Sequence, residues 1–179
     1  MIEKRNNRMT EPDKRMVLIT RIFDAPRELV FKAWTDPAHL VHWYAPKACS
    51  IQFYKFEFQQ GGTFQSCIQV PGGHDCWCKG VYLEIVAPER IVFSMAVTDE
   101  KGTLVDPVDV GMDPDWPRET IVAVTFEEYE GKTKLTLHQT VLESIAKRTG
   151  AHPSWLEMFD RLAGELAKTT ASSVRAETY

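Results

Sequence analysis

Ser154-Trp155-Leu156-Glu157-Met158-Phe159-Asp160-Arg161-Leu162-Ala163-Gly164-Glu165-Leu166-Ala167-Lys168 is the stretch that decides the fold. Within it Trp155, Met158, Phe159, Leu162 and Leu166 recur at offsets of three, four, seven and eleven, one apolar stripe along a helix. Pro153 or Ser154 can open that helix, and Asp160 and Arg161 fall on its solvated side. Such a stripe needs a broad apolar surface to lie against.

The preceding residues supply one. Strands are predicted at 50–58, 63–70, 76–86, 90–97, 119–128 and 133–141, broken by Gly61-Gly62, Pro71-Gly72-Gly73, Pro88-Glu89, a long irregular stretch and Glu130-Gly131. Most of these links are short and turn-like, so neighbouring strands run antiparallel. A further strand at 17–23 stops at Asp24-Ala25-Pro26, where proline suits the first turn of a helix. Leu29, Val30, Ala33 and Trp34 then follow at helical spacing. Asp36-Pro37 supplies an N-cap oxygen and a helix-opening proline for a second short helix, which carries Leu40, Val41, Trp43 and Tyr44 and ends at Pro46.

Seven strands, two short helices after the first strand and one long carboxy-terminal helix bury their apolar faces together if the sheet curls around the long helix. The expected class is therefore α+β, a helix-grip fold with a curved antiparallel seven-stranded sheet. Residues 1–15 are charged with little to bury and are expected to be a disordered tail. The domain is placed at 16–168, with 169–179 a frayed end.

A chain of 179 residues with 44% hydrophobic content can build one full core. The net charge of -4 and the lack of a basic cluster beyond the amino-terminal tail argue against nucleic acid and anionic membrane surfaces as partners. No apolar run approaches the roughly 20 residues of a membrane helix, and no secretory core opens the chain. A cytoplasmic location is expected, with Cys49, Cys67, Cys76 and Cys78 reduced.

A curled sheet and one helix leave space between them, and pockets of this kind typically hold roughly 300–1,000 Å³. Large rings and flexible side chains wall the predicted site: Trp34, Trp43, Tyr44, Phe64, Tyr82, Phe93, Met112, Trp116, Trp155, Met158, Phe159 and Leu162. Residues 98–118 form a long link rich in Asp, Pro and Gly, and loops of this length are usually functional or disordered. The expectation is a lid over the pocket mouth, with Met112 and Trp116 facing inward.

Several short motifs resemble one family. Asp24-Ala25-Pro26 with Val30 and Trp34, Thr35-Asp36-Pro37, Trp43-Tyr44 with Pro46, and Gly61-Gly62-Thr63-Phe64 carry the likeness in the first third of the chain. Gly80-Val81-Tyr82-Leu83-Glu84-Ile85, Pro88-Glu89-Arg90-Ile91-Val92, Val124-Thr125-Phe126, 131–137 and Trp155 with Asp160-Arg161-Leu162 continue it. Together they resemble the bacterial branch of the activator of 90-kDa heat-shock protein ATPase family, within the START-like, or SRPBCC, superfamily. The resemblance implies the helix-grip fold shared with Bet v 1-like proteins, and a hydrophobic ligand between sheet and carboxy-terminal helix. It departs from the family at Ala151-His152-Pro153-Ser154, where members often place a glycine before the helix-opening tryptophan.

Other constellations lead to less. His74, Cys76 and Cys78 alternate along one strand, so His74 and Cys78 stand about 13 Å apart, too far to share a metal ion. If Gly72-Gly73 were a two-residue turn, Cys67 would sit opposite Cys78. His138 points to solvent, and Glu84 with Arg90 makes an ion pair at a hairpin corner. There is no phosphate loop, nucleophile elbow or useful carboxylate pair. No catalytic residue, metal or cofactor is expected. The leading function is non-catalytic binding of a small apolar molecule. The alternatives are an enzyme of the polyketide aromatase or cyclase kind and a module that stimulates a chaperone ATPase, and a homodimer stays open.

Overall fold

Alternation decides which face each strand buries. In β1 (Met16–Phe23) Val17, Ile19 and Phe23 are buried while Met16, Leu18, Thr20 and Ile22 are exposed, the period-two pattern of a sheet with one dry side. The same pattern recurs in β6 (Glu119–Tyr129) and β7 (Lys132–Leu142), whose inner residues are Thr120, Val122, Val124 and Phe126, and Leu135, Leu137, Gln139 and Val141. A computed structural model describes residues 14–176; most of the predicted tail at 1–15 lies outside the described residues.

The seven strands form one antiparallel sheet in the order β1-β7-β6-β5-β4-β3-β2, with β2 Ser50–Phe56, β3 Thr63–Gln69, β4 Cys76–Val86 and β5 Arg90–Val97. Register breaks between Phe53 and Lys55 and between Tyr82 and Glu84 mark where an extra residue bends a strand. The helix-grip architecture stands as predicted. After β1 come α1 (Arg27–Thr35) and α2 (Pro37–Trp43); the Asp36 carboxylate accepts from Ala38 N at 2.9 Å and Pro37 follows it, as the sequence indicates. The ion pair from Arg90 Nε to Glu84 Oε2 is 3.1 Å, and His138 is exposed. None of the described helices is long and apolar enough to cross a membrane.

Four expectations are corrected. The last helix, α4, runs over Ala151–Ala176, longer at both ends than 154–168, so 169–176 is helix and not a frayed end. Nothing in that stretch breaks a helix, and the hydroxyls of Thr169, Thr170, Ser172 and Ser173 fold back on carbonyls four residues earlier. A further helix, α3 (Glu143–Thr149), stands between β7 and α4 and ends on Gly150 at φ 85, a left-handed C-cap. Pro153 sits in the first turn of α4, where its missing N–H costs nothing.

The β3–β4 register is the third. The link spans 70–75, with the Asp75 carboxylate accepting from Val70 N at 3.1 Å and Gly73 N donating to Val70 O. Ser66 therefore faces Cys78, and Cys67 faces Trp77. Because side chains alternate across a strand, the one-residue difference separates Cys67 from Cys78 onto opposite faces.

Arg161 is the fourth. Its Nη1 donates to the carbonyls of Ala45 at 2.7 Å, Pro46 at 3.2 Å and Cys49 at 3.2 Å, clamping the link between α2 and β2 onto α4. Arg161→Met keeps the stem and deletes the donors. It is expected to destabilise the fold by about 2 kcal/mol, since partly buried carbonyls lose a charged donor. Urea denaturation measures this, and an unchanged midpoint would show the clamp to be idle.

Candidate functional site

Strands β3 to β7 carry a set of inward residues that face a space no α4 side chain lines. Ser66 and Ile68, Cys76 and Cys78, Met95 and Val97, Thr120 and Gln139 line a cavity of about 530 Å³ together with Tyr44. The 98–118 link contributes Thr98, Asp99, Glu100, Val110, Gly111, Met112 and Trp116, and His74, Asp75, Trp77 and Ala96 complete the lining.

The link is held in place by its own acids. It turns through a 3-10 helix, Pro107–Val110, opened by the Asp106 carboxylate on Val108 N and closed by Gly111 at φ 76. Arg118 donates to Asp106 Oδ2 from Nε at 3.1 Å. Arg148 of α3 reaches across to the Asp113 carboxylate from Nε at 3.1 Å and Nη2 at 2.9 Å, and to Asp115 Oδ2 at 2.9 Å. The Arg118 and Arg148 hydrogen bonds hold the Asp106 and Asp113 carboxyls below the usual carboxylate range. Met112 and Trp116 of this link are both in the cavity lining.

The twelve predicted site residues divide into three sets. Tyr44, Met112 and Trp116 line the cavity. Trp34, Phe64, Tyr82 and Phe93, again with Tyr44, surround a slot of about 20 Å³ deeper in the protein, room for one water molecule. Trp43, Trp155, Met158, Phe159 and Leu162 are packed into the core; Trp155 lies against Trp34, Tyr44 and Phe159 at ring distances of 6.4, 5.7 and 6.0 Å. The expected gap between the sheet and α4 is thus filled around Trp155 and Phe159, while a more open cleft of about 500 Å³ lies between the end of β1 and the second half of α4, lined by Ile22, Phe23, Ala163 and Leu166 among others. No α4 residue lines the cavity, which opens beyond Trp155.

The cavity has residues that the sequence reading missed. Thr120 and Gln139 are polar at inward positions of otherwise apolar alternations, and that interruption was the readable signal. They are tied together: Trp155 Nε1 donates to Gln139 Oε1 at 2.9 Å, and Gln139 Nε2 donates to Thr120 Oγ1 at 3.0 Å. The Tyr44 hydroxyl has only the Met95 thioether, 3.9 Å away, and burial pushes its pKa well above the ordinary tyrosine value.

Burial likewise pushes the Cys78 thiol up to about 11 against an opposing hydrogen bond with Ser66, whose Oγ is 3.3 Å away. Burial also raises Cys67 to about 11. All four cysteines are free thiols, and among the described residues no group of three His, Cys, Asp or Glu could hold a metal ion. At neutral pH the Tyr44 phenol and the Cys76 and Cys78 thiols in the wall are protonated. Iodoacetamide at pH 7.5 is therefore expected to alkylate Cys67 and Cys78 on the order of 100-fold slower than an ordinary thiol near pKa 8.5. Peptide mapping after timed labelling reads the rates, and rapid labelling of Cys78 would contradict its burial.

Residues 24–167 match the family described as Activator of Hsp90 ATPase homolog 1-like protein. Among solved structures, the chain is similar to a Staphylococcus epidermidis protein at 27% identity and a TM-score of 0.70, covering 89% of this chain and 93% of that one. An Arthrobacter aurescens protein matches at 24% identity and a TM-score of 0.71 over 84% and 85% of the two chains. The AHSA1 protein of Silicibacter pomeroyi matches at 20% and 0.68 over 87% and 99%. No curated protein matches the chain.

Proposed function

The chain belongs to the Activator of Hsp90 ATPase homolog 1-like family, and from that premise we propose that it binds a small, largely apolar molecule without transforming it. The observation that carries this reading is the cavity of about 530 Å³ beneath the 98–118 link. Its volume falls in the range of roughly 300–1,000 Å³ common for ligand pockets, and apolar, aromatic and sulfur-bearing side chains make up the larger part of its walls, beside the polar Ser66, His74, Asp75, Thr98, Asp99, Glu100, Thr120 and Gln139. The core around Trp34 and Phe159 is closed, and the cleft between β1 and α4 is more open and less enclosed by rings, which favours a guest under the link.

The state of several lining groups supports binding without chemistry. The acids at the cavity margin are exposed or engaged in turns, Asp75 with Val70 N and Asp99 with Lys101 N and Thr103 N. The groups deeper in the wall keep their protons at neutral pH. His74, exposed and part of the lining, is the side chain there that could take a proton from a bound substrate, and the binding reading gives it no such role.

A screen of apolar and aromatic compounds by thermal shift, with native mass spectrometry of the protein as purified, tests the reading. Val97→Trp adds a large ring into the cavity from β5. Ligands that raise the melting temperature of the native chain are expected to lose at least about tenfold in affinity for Val97→Trp, the cost of overfilling a packed site. If no compound stabilises the native chain, or if the tryptophan variant binds as well, the cavity is not the site.

A further inference from the structure

The polar chain at the cavity floor has a fixed direction. An indole N–H can donate and cannot accept, so the atom of Gln139 that faces Trp155 Nε1 at 2.9 Å is the amide oxygen. The amide nitrogen is then committed to Thr120, donating to its Oγ1 at 3.0 Å. A hydroxyl that accepts from Gln139 must send its own proton elsewhere. Among the described residues no acceptor takes it, although Thr120 is only 2% exposed.

A second hydroxyl opens on the same space. Tyr44 donates to nothing stronger than the Met95 sulfur at 3.9 Å, and a thioether is a weak acceptor. Met95 and Thr120 are register partners on β5 and β6, so both hydroxyls flank one cross-strand pair. Each is a donor in need of an acceptor. Among the described residues no lysine or arginine lines the cavity, while Asp75, Asp99 and Glu100 do. An anionic guest would give up its hydration without a counter-charge.

We propose that the cavity selects a neutral apolar ligand bearing a carbonyl oxygen, which accepts hydrogen bonds from the Thr120 and Tyr44 hydroxyls. Trp155 and Gln139 act as positioning residues that aim the Thr120 proton. The inference rests on the binding reading above and adds to it the class of ligand.

Calorimetric titration with three probes of one shape tests it: 2-acetylnaphthalene, 2-isopropenylnaphthalene and 2-naphthoate. Replacing the carbonyl by a methylene removes two modest hydrogen bonds, so the ketone is expected to bind about tenfold tighter than the alkene. The naphthoate should bind weakest. Infrared spectra of bound 2-acetylnaphthalene should show its carbonyl stretch moved to lower wavenumber than in hexane. Tyr44→Phe and Thr120→Val should each weaken the ketone several-fold and leave the alkene unchanged, and Thr120→Ser should restore it. If Thr120→Val fails to fold, Tyr44→Phe and the carbonyl stretch still decide. Equal affinity for ketone and alkene, or tightest binding of the naphthoate, overturns the carbonyl inference while cavity binding stands. Failure of all three to bind overturns both.

Discussion

Gly80→Ala is expected to cost more than about 4 kcal/mol of folding stability, the upper end of what a single substitution does. The added Cβ would stand 1.9 Å from the Ser94 carbonyl oxygen and 2.5 Å from Phe64 Cζ. Neither neighbour can yield. Ser94 O belongs to the backbone of β5, and moving it tears the β4–β5 ladder. Phe64, the register partner of Gly80, is held between Tyr82 at 5.5 Å and Phe93 at 5.9 Å. The glycine is needed for space, since an aromatic ring lies across the bare strand. With a urea m-value of about 2 kcal/mol/M the midpoint should fall by roughly 2 M. Gly164→Ala is the matched control: the site lies within α4 with nothing within 4 Å of the added atom, so a gain of up to about 1 kcal/mol is expected. A small loss at Gly80 would mean that β4 and β5 can separate freely there.

Trp34→Ala should remove about 3–5 kcal/mol. Trp34 is 3% exposed and touches five rings: Trp43 at 4.8 Å, Tyr44 at 6.0 Å, Phe126 at 6.1 Å, Phe159 at 6.3 Å and Trp155 at 6.4 Å. It joins α1, α2, the sheet and α4 in one contact, and those partners cannot all collapse into the space it leaves. Trp34→Phe is the informative partner variant. Trp34 Nε1 is buried with no hydrogen-bond partner, whereas Trp43 Nε1 donates to Ala33 O and Trp155 Nε1 to Gln139. Replacing Trp34 by phenylalanine removes an unsatisfied donor along with part of the ring, so its loss should stay near about 1 kcal/mol. Equal losses for the two variants, read from denaturation midpoints, would argue that ring packing is not what Trp34 contributes.

These two positions show how differently the sequence speaks. Trp34 was legible as a helix residue facing inward, but it was also expected in the wall of a ligand site, and it lies instead in the core beside the small slot. Four of the twelve predicted residues lie with Tyr44 around a slot fit for one water, and five are solid core. A ring at helical or strand spacing announces burial and says nothing about what stands opposite. Met112 and Trp116 were found through a different signal, apolar residues inside a long polar link, and that signal does bear on the cavity. Thr120 and Gln139 were legible as polar residues on inward positions, but only as an oddity.

Local periodicity determined the element types: seven strands from alternation and turn residues, α1 and α2 from spacing and the Asp36-Pro37 cap, α4 from its stripe. Those signals are carried by residues close in sequence, which is why they survive without a structure. The tertiary structure alone decided that Ser66 and not Cys67 faces Cys78, that Arg161 binds three carbonyls, that Trp155 and Phe159 close the middle of the trough, and that a cavity opens beneath the 98–118 link. Each of these depends on volumes and hydrogen-bond partners brought together from distant parts of the chain, where a one-residue change in a turn turns every side chain of a strand to the other face.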